Sequence, residues 1–352
     1  MERIYKVLDA IVDEYIRTGE PVGSKALQEK IDVKVSSATI RNDMASLEAL
    51  GFLDHPHTSA GRIPTIRGYK LYIERIREKE AISTGEKEKI DEFFKGISDE
   101  SDGAVIENAS KALSEITKCA IVSTNMISKF SIITKVNIIP TGKRMYVLLL
   151  ITSSGDIKNR VCRLSFDLTD DEMDFFIKFI NQNLEGLNAD NLSEEFIEKL
   201  TASLGSYMLS LSPLLKAVTE LSLEMRKKQV LLEGETKLIA SNELEKDEII
   251  ALIESKNQLT ELLDAAFSGI NVIFGKETDT FVVQNAGMIT GGFQKDHKPA
   301  GSFGVIGPMR LDYKRIIPYI EYFSEKVTNI LSSKAEEDPV TIEKEEKGID
   351  EK

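Results

Sequence analysis

The sequence predicts an α+β protein of several domains, in which helices and a short hairpin come first and a long helical region later separates two groups of strands. Apolar residues recur at intervals of three and four within the first 80 residues and again between about 169 and 267. Short β-branched runs near residues 132–164 and 270–306 are typical of strands. The length of 352 residues allows two or three domains.

The N-terminal segment predicts two helices separated by a break. The first helix has a broad buried stripe formed by Ile4, Val7, Leu8, Ile11, Val12, Tyr15 and Ile16. Residues 18–23 interrupt this pattern, and Ser24 is placed to cap a short second helix that ends near Lys30. Ala26 and Leu27 are expected to turn inward, and a short turn over residues 31–35 leads to the next helix.

A third helix is predicted over about residues 37–50, where apolar residues again recur at helical spacing: Ile40, Met44, Leu47 and Leu50. Ser36 and Ser37 supply N-cap oxygens, and Gly51 suits the left-handed residue at a helix end. The polar residues off the apolar face suit base edges and phosphates, and they are Thr39, Arg41, Asn42 and Ser46. Phosphate is also favoured beside Ser36 and Ser37, because unpaired amides make a helix start partly positive. An ordinary amphipathic surface helix explains the third helix, taken alone, equally well.

A hairpin is predicted after this helix, because Phe52 and Leu53 can pair with residues around Ile63 across a loop rich in turn formers. We expect Arg62 to project from this loop. With the loop residues His57, Thr58 and Ser59 it would suit phosphate or minor-groove contact, whereas the alternative is a plain solvated hairpin. Three helices, the last two joined by a tight turn, followed by such a hairpin indicate a winged helix-turn-helix.

The rest of the chain predicts a sheet, a helical region and a second sheet. A helix from Thr65 closes the first domain, and another covers about residues 103–118. Strands are expected at 132–139, 146–152 and 159–164, then helices over 169–267 with breaks near 186–191, Pro213 and Gly234. Strands return at 270–274, 281–283 and 303–306 before a helix over 313–331. Seven apolar residues of this region either form part of a subunit interface or are simply core: Leu209, Leu211, Leu214, Leu215, Val218, Leu221 and Leu223.

The net charge of −13 is unusual for a protein that binds DNA, but the charge is unevenly distributed. Residues 1–79 carry 13 Lys and Arg against 12 Asp and Glu, a net +1, so the remaining residues carry −14. Residues 57–79 alone contain six basic and two acidic residues. The acidic remainder would repel DNA and help confine contact to one end of each subunit.

Three stretches of the N-terminal unit closely resemble the family of bacterial heat-inducible transcription repressors named HrcA: TGEPVGSKAL (18–27), VSSATIRNDMASLEALGFL (35–53) and PHTSAGRIPT (56–65). A distant stretch, GSFGVIGPMRLDYKRII (301–317), resembles that family's second signature. The sequence departs from the family pattern at Met309 and Leu311, where threonine and methionine are expected, and in the 287–298 loop.

The resemblance implies a winged-helix domain, a GAF-like α/β domain with an antiparallel sheet, and a largely helical dimerisation domain inserted into the GAF-like one. We expect the winged-helix domain at 1–80, a linker at 81–103 and a charged, disordered tail at 333–352. The GAF-like parts are expected at 104–185 and 269–332, on either side of an insertion at 186–268. The resemblance also implies a homodimer that binds an inverted-repeat operator called CIRCE upstream of chaperone operons. In that family the GroE chaperonin keeps the repressor active, and heat stress ends repression.

The sequence predicts no catalytic site. Residues 301–307 are glycine-rich but lack the lysine and hydroxyl of a phosphate loop, and we interpret them as a tight turn entering a strand. His55 and His57 have no third ligand nearby, and Cys119 and Cys162 lack metal or redox spacing, so we expect neither metal nor cofactor. No apolar run is long enough for a membrane span, and no signal segment precedes the first helix, so we expect a cytoplasmic protein. The alternatives are a regulator that senses a metabolite through its GAF-like domain, and a DNA-binding scaffold without regulation.

Overall fold

The structure is a computed structural model of the chain. It describes residues 2–31, 35–56, 61–77, 82–125, 132–188, 191–203, 211–226, 228–264, 269–278 and 281–337. Within these ranges, helices pack against one sheet of five strands and another of three, and a two-stranded hairpin lies near the N-terminus. No helix in these ranges is both long and apolar enough to cross a membrane.

The N-terminal unit is the predicted winged helix-turn-helix. Its elements are α1 (Glu2–Thr18), α2 (Ser24–Gln28), α3 (Ser37–Ala49), β1 (Leu53–Asp54), β2 (Ile63–Pro64) and α4 (Ile66–Ile76). The hairpin pairs Leu53 with Pro64, and an added bridge pairs Val22 with Arg62. Three helices therefore support a small wing, as the sequence indicated.

Two details of α2 differ from the prediction. Gly23 occupies the N-cap and Ser24 is the first helical residue, so Ser24 does not cap this helix. Leu27 is fully buried, but Ala26 is exposed, since a helix of five residues turns only a narrow face toward the core. The buried Leu27 joins α2 to the core of the unit.

A helix, α5 (Thr84–Ile97), occupies much of the segment 81–103, for which the sequence predicts a linker. Ser83 and Glu86 form a capping box at its start, and Ile90, Phe94 and Ile97 are buried. Most of its charged residues are exposed, but Glu86 and Asp91 accept hydrogen bonds from Tyr319 and Tyr322. The next helix, α6 (Asp102–Thr117), confirms the predicted helix at 103–118.

A three-stranded sheet and three helices form a core of their own between residues 133 and 225. After β3 (Ala120–Asn125), this part contains β4 (Ile133–Gly142), β5 (Met145–Thr152), β6 (Ile157–Arg163), α7 (Asp170–Leu184), α8 (Glu194–Ser203) and α9 (Ser212–Arg226). The strands confirm the predicted sheet. On α9, Leu214, Leu215 and Leu221 are buried in this core, so they are core residues and not interface residues. Leu223 on the same helix is 43% exposed, and Leu209 lies outside the described residues.

The five-stranded sheet is antiparallel, in the order β7-β3-β10-β9-β8. Besides β3 it contains β7 (Gln229–Glu233), β8 (Asn271–Phe274), β9 (Ala286–Lys295) and β10 (Lys298–Pro308). Helices α6 and α13 (Tyr313–Glu337) pack on one face. The other face packs with α10 (Glu235–Ile239), α11 (Lys246–Glu254) and α12 (Thr260–Asp264). Successive residues of a strand point to opposite faces of the sheet, so Ile121 belongs to the core on one face and Val122 to the core on the other.

This topology differs from the predicted insertion at 186–268. The first three predicted strands belong to the separate core, whereas β7 and α10–α12 belong with the five-stranded sheet. The leucine-rich strand β7 lies where the sequence predicts a helix, and residues 281–283, which are predicted as a strand, do not form one. The helix α13 extends beyond the predicted tail boundary, to Glu337, and residues 338–352 lie outside the described part.

The glycine-rich residues 301–307 lie inside β10 and not in a turn, which corrects the prediction. A Cβ atom on Gly301 would lie 2.2 Å from the carbonyl oxygen of Thr124 on the neighbouring strand. The 287–298 segment, expected to be a loop, is largely β9. There a Cβ atom on Gly291 would lie 2.4 Å from Cγ2 of Ile320 on α13. The glycines thus permit close packing of strand and helix.

Candidate nucleic-acid interface

The start of α3 is organised by hydroxyl groups. The Oγ atom of Ser36 accepts a hydrogen bond from the backbone N–H of Thr39 at 3.1 Å and lies 2.9 Å from the Thr39 hydroxyl. The Oγ atom of Ser37 lies 3.0 Å from that of Ser24 on α2. These contacts confirm the predicted cap at Ser36 and fix the two helices of the helix-turn-helix to each other.

The exposed face of α3 presents two side chains that are free to contact a ligand. Arg41 and Asn42 are both exposed, and within the described part of the chain their side chains make no hydrogen bond or ion pair. Ser46 is exposed as well, but its hydroxyl donates to the Asn42 carbonyl at 3.0 Å. Arg41 and Asn42 therefore offer the unsatisfied donors and acceptors of this helix.

The opposite face of α3 is held by apolar packing and by one ion pair in which only the carboxylate is buried. Ile40, Met44 and Leu47 are buried, whereas Leu50, the last predicted apolar position, is 52% exposed. Asp43 is only 5% exposed and accepts two hydrogen bonds from Arg3 of α1, each 2.9 Å long. The sequence prediction missed this pair, although Asp43 falls three residues after Ile40 on the apolar stripe.

Arg62 does not project from the wing, so the prediction of its position is wrong. Its backbone N–H and C=O each hydrogen-bond to Val22 at 2.9 Å, which places it at the base of the wing. Its side chain is 20% exposed and lies 2.7 Å from a carboxylate oxygen of Glu48 on α3. The other predicted wing residues, His57, Thr58 and Ser59, lie outside the described residues.

The winged-helix unit packs on the five-stranded-sheet unit through α1 and α4. The Tyr69 ring lies 5.8 Å from that of Phe274 and 5.7 Å from that of Tyr313. At the end of α1, Arg310 donates to the Ile16 carbonyl at 3.0 Å. Because these contacts use α1 and α4, they leave the polar face of α3 exposed.

The described residues include no group of three His, Cys, Asp or Glu side chains that could hold a metal ion. Cys162 is buried and Cys119 is half-buried. Burial raises the pKa of Cys119 to about 11, which keeps this thiol protonated and unreactive.

Comparison with known proteins gives the family. A family model described as "Winged helix-turn-helix transcription repressor, HrcA DNA-binding" matches residues 2–77, and one described as "HrcA protein C terminal domain" matches residues 103–317. The heat-inducible transcription repressor HrcA of Clostridium perfringens is 32% identical over 339 residues, which cover 95% of this chain and 99% of that protein. That of Acetivibrio thermocellus is 31% identical over 93% of this chain and 95% of its own length.

A solved structure of the same overall fold is described only as a hypothetical protein at 2.2 Å resolution. It is 25% identical, with a TM-score of 0.69, and the match covers 95% of this chain and 99% of that one. The similarity thus extends over the winged helix and both sheet-containing units. The chain belongs to the HrcA family of heat-inducible transcription repressors, and it is a DNA-binding regulator and not an enzyme.

Proposed function

We propose that this protein represses chaperone operons by binding, as a homodimer, an inverted-repeat operator of the CIRCE type through α3 and the wing. One observation carries the proposal: Arg41 and Asn42 are exposed and unpaired on a helix whose opposite face is fixed by Asp43 and the apolar core. A rigid helix with free polar side chains can read base edges without first reorganising.

Arg41 and Asn42 have the chemistry for reading bases in the major groove. A guanidinium can donate two hydrogen bonds to a guanine, and an amide can exchange two with an adenine. Ser36, Ser37 and Thr39 lie at the amino end of α3, where phosphate oxygens are favoured, and Ser46 lies one turn beyond Asn42. The loop residues His57, Thr58 and Ser59 are proposed to contact phosphates from the wing.

An exposed apolar face on the three-stranded sheet supports the homodimer. Val161 and Ile157 on β6 are 56% and 59% exposed, and Ile139 on β4 is 43% exposed. The register places Val147 between Ile139 and Val161, which makes one apolar row across the three strands. Contiguous exposed apolar surface of this kind marks interaction sites. A second copy of the same face would bury it with two-fold symmetry.

Two-fold symmetry links the dimer to the operator. It presents two copies of α3 to DNA, and each copy reads one half of an inverted repeat. The spacing of the half-sites would then be about 34 Å or a multiple of it. Membership of a heat-inducible repressor family supports the control by GroE chaperonin and heat, and that control would act on the folding of this dimer.

A regulator that senses a small metabolite is the second candidate function. One observation favours it: a cavity of about 390 Å³ lies beside α13 and β9, lined by Arg77, Glu321, Ser324 and Glu325 among others. Ser324 is 7% exposed, and its hydroxyl has no hydrogen-bond partner within the described residues. Titration calorimetry against fractions of a cell extract would reveal a ligand, and no heat of binding in any fraction would reject this candidate.

The direct test of the proposed function is an operator gel shift. Purified protein is mixed with an inverted-repeat operator duplex or a scrambled duplex at physiological salt, with and without GroE chaperonin and at two temperatures. We expect a preferential shift of the operator that chaperonin strengthens and heat weakens. If the operator is bound no better than the scrambled duplex even with chaperonin, the proposed function is wrong.

A further inference from the structure

We propose that two basic side chains outside the recognition helix, Lys25 on α2 and Arg67 at the start of α4, anchor DNA phosphates at the two ends of α3. The proposal rests on the DNA-binding function proposed above and deepens it. It adds two basic phosphate contacts, at residues that the sequence prediction did not select, to the phosphate contacts proposed above. Arg62, for which the sequence predicts phosphate or minor-groove contact, is already paired with Glu48.

Most basic side chains of the winged-helix unit are already engaged with carboxylates of the protein. The ion pairs are Arg3 with Asp43, Arg17 and Lys30 with Glu14, Arg62 with Glu48, Lys70 with Glu277, and Arg75 with Asp9. A side chain in such a pair must lose a partner before it can bind phosphate. Within the described residues, Lys25 and Arg67 form no ion pair or hydrogen bond. Their charge is therefore available to DNA without such a loss.

Lys25 lies beside the amino end of α3. It follows Ser24 directly, and the hydroxyl of Ser24 lies 3.0 Å from that of Ser37, the first residue of α3. Lys25 is exposed, so its ammonium group reaches solvent at this junction. The partial positive charge of the α3 amino end and the lysine act on the same phosphate positions.

Arg67 lies beside the other end of α3. The Thr65 hydroxyl, which caps α4, also donates to the Gly51 carbonyl at 2.7 Å and so joins the start of α4 to the end of α3. The Arg67 guanidinium carbon lies 5.4 Å from the centre of the Phe52 ring. Stacking of this kind holds the plane of the guanidinium while its N–H edge remains exposed to solvent.

The dimensions of α3 and of DNA make both positions suitable for phosphate contact. The 13 residues of α3 span about 20 Å at about 1.5 Å per residue. The major groove is only about 12 Å wide, so a helix lying in it brings its ends close to the two phosphate backbones. Lys25 and Arg67 lie at those ends, while Arg41 and Asn42 lie between them. This arrangement separates positioning by phosphate contacts from reading by base contacts.

The test measures how binding depends on salt. Affinities of the full-length dimer for the operator duplex and a scrambled duplex of equal length are determined over a range of salt concentrations. We expect Lys25→Gln and Arg67→Gln each to make the slope of log K against log salt shallower by about 0.9 per subunit bound to DNA. The change should be equal on the two duplexes, because phosphate contacts carry no sequence information.

Two further variants separate this role from a general charge effect. Arg17→Gln removes the same charge from α1, where Arg17 is 64% exposed and Glu14 keeps Lys30 as a partner. The end of α1 contacts Arg310 of the sheet unit, so we expect this variant to keep the wild-type slope. Arg67→Lys keeps the charge and should retain most of the slope, which a purely structural role of the guanidinium over Phe52 does not predict.

The proposal is overturned if either Lys25→Gln or Arg67→Gln keeps the wild-type slope, or if Arg17→Gln lowers the slope as much as they do. Circular dichroism confirms that each exposed-site variant is folded. A wild-type protein that binds both duplexes equally contradicts the operator function, but the slopes on the scrambled duplex still decide the roles of Lys25 and Arg67. The two proposals thus fail by different observations.

Discussion

The Arg62 guanidinium lies 2.7 Å from a carboxylate oxygen of Glu48, so the arginine at the base of the wing is bound to the recognition helix. The side chains are 20% and 33% exposed, and water therefore screens the pair only in part. The contact spans 14 positions in the sequence and fixes the wing relative to α3.

Replacing either partner of this pair should loosen the wing. We expect Arg62→Ala and Glu48→Ala to lower the free energy of unfolding, with a coupling of about 0.5–1 kcal/mol in a double-mutant cycle. Urea unfolding of the single and double variants measures it. Additive losses in the double variant would show that the ion pair contributes nothing to stability.

Arg41→Ala should weaken operator binding by roughly 1–3 kcal/mol, the typical energy of one bidentate base contact. The loss on scrambled DNA should be much smaller, since the other contacts are with phosphates. Fluorescence anisotropy on both duplexes at one salt concentration measures the difference. Equal losses on the two duplexes would assign Arg41 to the phosphate backbone instead.

Local signals predicted the part of the fold that is formed by local contacts. The Ser36 cap and Gly51 after α3 act within a few positions of the chain, and the structure confirms both. It also confirms the strand pairing on either side of the predicted turn, whose residues 57–60 lie outside the described part. The strand β7 pairs with β3, although the whole core of residues 133–225 separates the two strands in the sequence. No local pattern distinguishes the leucines of β7 from those of a helix.

The same distinction holds for the candidate site. Exposure of Arg41 and Asn42 follows from helical periodicity and was therefore predictable. The partners of Arg3 and Arg62 lie 40 and 14 positions away, so the sequence did not reveal which cations are already neutralised. The free cations Lys25 and Arg67 emerge only once these pairs are known.

Arg3→Ala should destabilise the protein, because the Asp43 carboxylate, which is only 5% exposed, would lose its bidentate partner. The half-exposed position of Arg3 keeps the effect below that of a fully buried pair. Urea unfolding gives the free energy. The double variant Arg3→Ala with Asp43→Asn should recover part of the loss, and no recovery would place the effect elsewhere in α1.

The two ion pairs of Glu14, with Arg17 and with Lys30, should make the free energy of unfolding depend on pH. Hydrogen bonds from Arg17 and then Lys30 lower the pKa of Glu14 from 4.5 to about 2. A carboxyl whose pKa is lowered by folding stabilises the protein above its unfolded pKa and loses that contribution as pH falls toward the folded value. The difference in unfolding free energy between wild type and Glu14→Gln should therefore be largest near about pH 6 and shrink near about pH 3.5. A difference that does not change with pH would contradict the ion pairs.

A charge on the apolar face of the three-stranded sheet should convert the proposed homodimer into monomers. Ile157 is 59% exposed there, and a lysine at this position would have to be desolvated in the interface. The matched control is Ile250→Lys on α11, where the isoleucine is 51% exposed outside this face. We expect sedimentation equilibrium to show monomers for Ile157→Lys and dimers for wild type and Ile250→Lys. Because a monomer presents only one α3, Ile157→Lys should also lose the preference for an inverted repeat over a single half-site. A dimeric Ile157→Lys protein would move the subunit interface away from this sheet.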